Sequence, residues 1–454
     1  MNLHKLLTER AAANNPVRVG LIGAGKFGSM YLSQALETTG IHILGIADLK
    51  LERARASLAR VGWPEEQYAA HSLAAARRHG TTHLTEDAES LIAADGLDVV
   101  IDATGNPAAG IRHALLAFEH GRHMVMVNVE ADVLAGPLLA RRAAEAGVVY
   151  SLAYGDQPAL ICELVDWART AGLEVIAAGK GTRYQPHFHQ STPDTVWDYY
   201  YGGARANRER LLDANPQMFN SFIDGTKSGI EMAAVANATG LEPQFGGLTF
   251  PPAAIDELPE ILKPREDGGQ LVRRGTVEVV SSDRRDGSPI PNHLRWGVYV
   301  TFAAGRDYTA RCFNEYGLLT DSTGRYSALW RPFHLIGLEL GISVASVALR
   351  KEPTGAATGW LGDVVAVAKT NLHEGRLLDG EGGFTVWGKL MPAGESLAIG
   401  GLPIGLAHGV KLKRPIAAGE VIRWADVDFN AEDPTVRFRR EMERAFTDDQ
   451  VAAE

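Results

Sequence analysis

Four charged side chains in the middle of the chain are spaced for proton transfer. In "FIDGTKSGIEMAAVANATGL", Asp224, Lys227 and Glu231 stand at i, i+3 and i+7, which puts all three on one face of a helix that Asp224 can cap. A solvated salt-bridge ladder has the same spacing. Ile230, Met232, Ala233, Ala234, Val235 and Ala236 leave this helix little wet surface, however. A lysine between two carboxylates on a mostly buried helix is a setting for a perturbed pKa and for general acid–base work. Upstream, "LEVIAAGKGTRYQPHFHQSTPD" reads as a strand that ends in Lys180 and opens a polar loop, so Lys180 joins Lys227, Glu231 and Asp224 as a catalytic candidate. His187 and His189 in that loop stand two apart without a nearby third ligand, a pattern commoner in solvated loops than in metal sites. Downstream, "ALWRPFHLIGLELGISVASVAL" reads as a helix with Pro332 in its first turn. Arg331 and His334 near its N-terminus read either as holders of an anionic substrate group or as a surface arginine and a core histidine.

A second constellation lies near the start. "VRVGLIGAGKFGSMYLSQAL" runs from a buried strand into Gly23, Gly25 and Gly28, then into a helix with Phe27, Met30, Tyr31, Leu32 and Ala35 on its apolar face. The first glycine permits a tight turn, the second lets backbone approach a pyrophosphate, and the third allows close strand–helix packing. The helix N-terminus, with Lys26 and Phe27, completes an anion site. A second strand, "IHILGIAD", ends in Asp48, placed to accept hydrogen bonds from adenosine ribose hydroxyls and to repel a 2′-phosphate. NAD is therefore expected over NADP, softened by Lys50, Arg53 and Arg55. "LDVVIDATGNP" and "HMVMVNVEADV" supply two more strands. They place Thr104, Gly105 and Asn106, then Asn128 and Glu130, at carboxyl ends where open parallel sheets bind ligands. "YSLAYGDQP" adds Asp156 as a substrate-binding candidate. Glu130, Asp132, Asp156 and Glu231 would form a magnesium site only if they converge.

These elements imply an α/β chain. At 454 residues with a formal net charge of −10, it is long enough for two or three domains, and its charge argues against tracking a phosphate backbone. A small-molecule substrate is expected, without nucleic acid or membrane. Cys162 and Cys312 lie far apart in mostly apolar surroundings, which fits a reducing compartment. "MNLHKLLTERAAANNP" lacks the apolar core of a secretory signal, so a cytoplasmic location is expected. The expected division is a Rossmann domain over 1–153 and an α+β substrate and dimerisation domain over 154–355. Within the latter, the helix 331–350 is a candidate to return to the Rossmann domain. A small all-β module follows over 356–454, where Lys369–Leu377 and Lys413–Ile422 suggest a weak internal repeat.

That last module resembles the SAF domain of sialate synthases and sugar-acid dehydratases. Together with "GLIGAGKFG", "IDATGNP", "AAGKG", "RPFHLIGLE" and the Asp224 helix, it makes the chain resemble homoserine-dehydrogenase-related oxidoreductases, nearest to the deoxyxylulose-phosphate reductoisomerase-like branch. The resemblance implies a dimeric NAD(P)-dependent oxidoreductase, some of whose relatives reduce and isomerise 1-deoxy-D-xylulose 5-phosphate. It departs in two places. Homoserine dehydrogenases carry Asn-Lys after the fifth strand, whereas here Asn128 precedes Val129 and Glu130, so homoserine itself is not expected. Asp48, in turn, opposes the 2′-phosphate of the NADPH that reductive biosynthesis generally uses. Two alternatives stand beside hydride transfer on a polyhydroxylated alcohol or ketone. One is the reductoisomerase, the other a non-catalytic NAD(P) sensor.

Overall fold

The computed structural model describes residues 2–200 and 215–453. Two compact units divide the chain: residues 1–163 with 334–358, and residues 164–333 with 359–454. Among the described residues no helix is long and apolar enough to cross a membrane.

The first unit is built on a parallel sheet of β1 (Val17–Ile22), β2 (Ile41–Ala47), β3 (His83–Thr85), β4 (Val99–Asp102), β5 (His123–Met126) and β6 (Tyr150–Leu152). The spatial order is β3-β2-β1-β4-β5-β6, the doubly wound order of a dinucleotide fold. Its strands are buried almost throughout, as a sheet covered by helices on both faces requires. Residues 334–358 return to this unit. Gly355 O accepts from Leu152 N (2.7 Å) and Ser343 Oγ accepts from Tyr154 N (2.8 Å), which ties the returning segment to the end of β6.

The expected helix over 331–350 does not form as such. Tyr326–Arg331 is a strand, turns follow, and a five-residue helix begins only at Gly341. The segment pairs antiparallel along its whole length with the strand Val298–Ala303, and that pairing overrides the proline signal.

The second unit holds a mixed sheet of β7 (Glu174–Thr182), β8 (Glu242–Pro243), β9 (Thr276–Ser281), β10 (Val298–Ala303) and β11 (Tyr326–Arg331), in the order β11-β10-β7-β9-β8. The helix Thr226–Thr239 packs on this sheet and also on the pair β12 (Gly362–Ala368) and β13 (Val386–Pro392). Buried on both sides, it leaves only Lys227 and Ala238 partly exposed. Glycine makes the second contact possible: a Cβ at Gly229 would lie 3.2 Å from Gly388 O. Asn237 Oδ1 accepts from Leu361 N and Gly362 N at 2.8 and 2.9 Å and so fixes the start of β12.

Residues 359–454 thus share the compact unit of the mixed sheet, where the sequence suggested a separate module. Nor are they all β: they end in a twenty-residue helix, Pro434–Ala453. Arg439 draws that helix in, its guanidinium buried against Asp363 (2.7 Å) and Glu443 (2.9 Å). The two repeat-like stretches face each other, Leu372 and Ile416 exchanging both backbone hydrogen bonds at 2.8 and 2.9 Å.

Candidate functional site

In the first unit the three glycines do three different things. Gly23 has φ +97°, and a Cβ there would lie 2.7 Å from Ala103 O, so only glycine fits the turn. A Cβ at Gly28 would lie 2.3 Å from Gly23 O, which is why the helix can start so close to the strand. Gly25 meets nothing within 4 Å and caps the helix Lys26–Ala35, leaving its backbone open to an anion at that N-terminus. Lys26 is exposed and Phe27 packs half-buried against the core. These residues fit a dinucleotide pyrophosphate.

Asp48 follows β2 as expected, but its carboxylate is turned inward. It accepts from Ala24 N (2.9 Å) and Lys50 N (3.0 Å), and Arg53 Nη2 donates to both oxygens at 2.8 Å. Burial disfavours its charge, yet the bonds from Arg53, Ala24 and Lys50 outweigh burial and hold the carboxyl below its ordinary range. The side chain is fully covered while Arg53 is half exposed. The group presented at this edge is thus a guanidinium, which corrects the expectation of a carboxylate facing the ribose.

At the ends of β4 and β5 the polar residues mainly position backbone. Asn106 caps the helix Pro107–Glu119 and Asn128 caps Val129–Glu145. Asn128 Nδ2 donates to Asn106 O at 2.8 Å, Thr104 Oγ1 donates to Asp102 Oδ1 at 2.8 Å, and Gly105 takes φ +67°. Asp102 and His113, which the sequence did not single out, form a buried pair at 2.7 Å beneath them. Glu130 sits half-buried in the first turn of its helix. Asp132 is buried and accepts from Tyr150 OH at 2.8 Å; burial pushes its pKa up to about 7 against that hydrogen bond. Asp156 accepts from Gln157 N (2.8 Å) at the start of Gln157–Thr170. Among the described residues no group of three or more His, Cys, Asp or Glu gathers to hold a metal ion.

In the second unit, Lys180 on β7 is ion-paired with Glu231 on the helix Thr226–Thr239, both nearly buried. Lys227, one turn before Glu231, lies on the same side of that helix. Asp224 is not in this helix. It ends the preceding one, Pro216–Ile223, and Gly225 with φ +91° intervenes. Asp224 Oδ1 accepts from Thr226 N (2.9 Å), and Oδ2 accepts from Lys369 Nζ (2.8 Å). Lys369 also donates to Ser191 O and Gly383 O, each at 2.7 Å, so three acceptors surround an ammonium with three N–H donors. Both side chains are completely buried. Asp224 therefore corrects to a structural anchor: its charge is neutralised by Lys369 and shielded from water. Lys369 carried no local sequence signal, because its partner lies 145 residues away.

The loop after β7 contributes His189. Its Nδ1 lies 2.7 Å from Asp224 O, and a carbonyl only accepts, so Nδ1 carries the proton and Nε2 accepts from Tyr184 OH at 2.9 Å. Burial lowers its pKa, helped by the charges of Lys369 and Lys389 and opposed by Asp224. Both ring nitrogens are engaged within the protein, while His187 is exposed. Arg331 closes β11, its guanidinium 5.1 Å from the Phe333 ring. His334 follows in irregular chain, without the helix N-terminus expected to unite the two.

Residues 155–340 match the family model described as oxidoreductase DRL, catalytic domain. No curated protein matches the chain. Among solved structures, an oxidoreductase from Agrobacterium radiobacter in complex with NAD+, L-tartaric acid and magnesium is 17% identical over 37% of this chain and 45% of its own, with a TM-score of 0.29. A myo-inositol dehydrogenase from Lactobacillus casei in complex with NAD(H) and myo-inositol is 16% identical over 40% of this chain and 50% of its own, with a TM-score of 0.28. The chain spans about half the length of these structures.

Proposed function

We propose that the chain is an NAD(P)-dependent oxidoreductase that interconverts a secondary alcohol and its ketone on a small, polyhydroxylated, anionic substrate. The observation that carries this reading is the Gly23–Gly28 turn, complete at all three glycines and set in the doubly wound strand order. The catalytic-domain match over residues 155–340 supports it independently. Bound at that turn, the nicotinamide cofactor would supply or accept the hydride.

The protein's remaining task is the proton at the substrate oxygen. Lys227 is the partly exposed charge on an otherwise buried helix. In the reducing direction its ammonium gives a proton to the carbonyl oxygen, and in the oxidising direction the amine takes the hydroxyl proton back. Glu231 balances the Lys180 ammonium beside it, which limits the repulsion that an uncompensated second cation would impose on Lys227.

A second reading, reduction coupled to isomerisation of a deoxyxylulose phosphate, is favoured by Arg53. A guanidinium laid over Asp48 suits a 2′-phosphate, and reductive biosynthesis generally draws on NADPH. The test is a titration with NADH and NADPH followed by nicotinamide fluorescence, then turnover of polyols, sugar acids and deoxyxylulose phosphate. Turnover of a polyol or sugar acid with either cofactor supports the first reading. Tight NADPH with turnover of deoxyxylulose phosphate supports the second. Cofactor binding with no turnover across the panel overturns both in favour of a sensor.

A further inference from the structure

The helix Thr226–Thr239 has a second polar neighbourhood, on the face away from Lys180. Gly229 stands two residues from both Lys227 and Glu231, about half a turn around the helix. On its side lies a cavity of about 460 Å³, bounded by Gly229, Phe250, Lys369, Trp387, Lys389 and Gly419 among others. That volume lies within the range of small-molecule sites.

The walls specify the chemistry of an occupant. Trp387 is stacked on His189 with ring centroids 3.8 Å apart, and Phe250 on Tyr184 at 3.9 Å. His189 lines the cavity beside Trp387, while Tyr184, outside the lining, holds Phe250. Two lysines line the space, but Lys369 spends its three donors on Ser191, Asp224 and Gly383. Lys389 makes no ion pair among the described residues, and no described carboxylate lines the cavity. A cation without a counter-charge, set among fixed aromatic rings, selects an anion with a flat body.

We propose that this cavity is a second ligand site, separate from the Lys180–Glu231 cluster, that takes a ring-bearing anion: an aromatic or heterocyclic carboxylate or phosphate. The ring packs on Trp387 and Phe250, and the anionic group pairs with Lys389. The site does not depend on the proposed hydride transfer, and it includes strands beyond the matched catalytic domain.

The probe is 8-anilinonaphthalene-1-sulfonate, titrated into the full chain and read by its fluorescence, with benzoate and phenyl phosphate as competitors. Saturable one-site binding is expected, displaced by both competitors. Lys389→Met should weaken it about tenfold, roughly 1.4 kcal/mol, while uncharged N-phenyl-1-naphthylamine binds the wild type and this variant alike. Lys227→Ala should bind the probe as the wild type does, so failure of the catalytic reading leaves this result intact. Trp387→Phe, a conservative variant with an unchanged melting profile as its folding control, should retain binding within about threefold. Identical titrations of wild type and Lys389→Met, or binding that never saturates, would overturn the proposal.

Discussion

The Gly23–Gly28 turn and the lysine–carboxylate pairs are built by opposite means. Gly23, Gly25 and Gly28 act through backbone, within one uninterrupted stretch: a side chain would collide with the protein at Gly23 and Gly28, whereas Gly25 leaves open space. The charged groups on and just before the helix Thr226–Thr239 act through charge, and their pairs join residues 51 and 145 positions apart. A backbone site of the first kind forms as soon as strand and helix dock. A charge site of the second kind exists only when the whole unit has closed, because burying either partner alone is costly.

The sharpest way to break this contrast is Lys369→Met. It leaves Asp224 buried and unpaired, with two carbonyls short of a donor, and should cost about 3–5 kcal/mol in urea denaturation. Asp224→Asn in the same chain should restore part of that loss. A neutral Lys369→Met would mean the pair does not organise the unit.

Next in size is Lys227→Ala, expected to lower kcat on the order of 10²-fold or more, about 2.7 kcal/mol, with cofactor affinity nearly intact. An unchanged kcat would remove Lys227 from proton transfer.

The glycines sharpen the other half of the comparison. Gly25→Ala should weaken dinucleotide binding about tenfold, roughly 1.4 kcal/mol, while the melting temperature stays put, since nothing in the protein lies within 4 Å of the added carbon. Gly28→Ala, forced against Gly23 O, should lower affinity and melting temperature together. Equal melting losses in both would contradict the division of labour among the glycines.

The smallest effect concerns acid stability. Asp48 has a folded pKa below its ordinary 3.8. Its ion pair therefore contributes stability above that ordinary value, and the contribution is lost as pH falls through the folded one. Because Arg53 is half exposed, screening limits the contribution to about 1 kcal/mol or less. Arg53→Ala should narrow the stability gap between wild type and variant as pH is lowered from 5 to about 2, checked by melting curves across that interval.

How much of this was legible follows from the range of the interactions. The strand–glycine–helix rhythm of residues 17–36 depends on residues a few positions apart and can be read along the chain, whereas Asn106 and Asn128, read there as ligand-binding residues, cap helices in the structure. The buried character of the Thr226–Thr239 helix was legible too, from its run of apolar residues. The fate of Asp224 was not, because Gly225 breaks the helix that the i, i+3, i+7 spacing assumed and Lys369 arrives from the bend after the distant strand Gly362–Ala368. The same holds for residues 359–454, whose β pattern is local but whose packing on that helix rests on Gly229, Asn237 and Arg439 meeting distant partners.

The sequence by itself determined the Gly23–Gly28 turn and the kinds of charged groups available, since steric demands on backbone and helical spacing are local. Only the tertiary structure decided which charges meet. It paired Glu231 with Lys180 and Asp224 with Lys369, and it covered Asp48 with Arg53. A buried charge needs a counter-charge in direct contact, and its position in the chain does not say which segment will bring it.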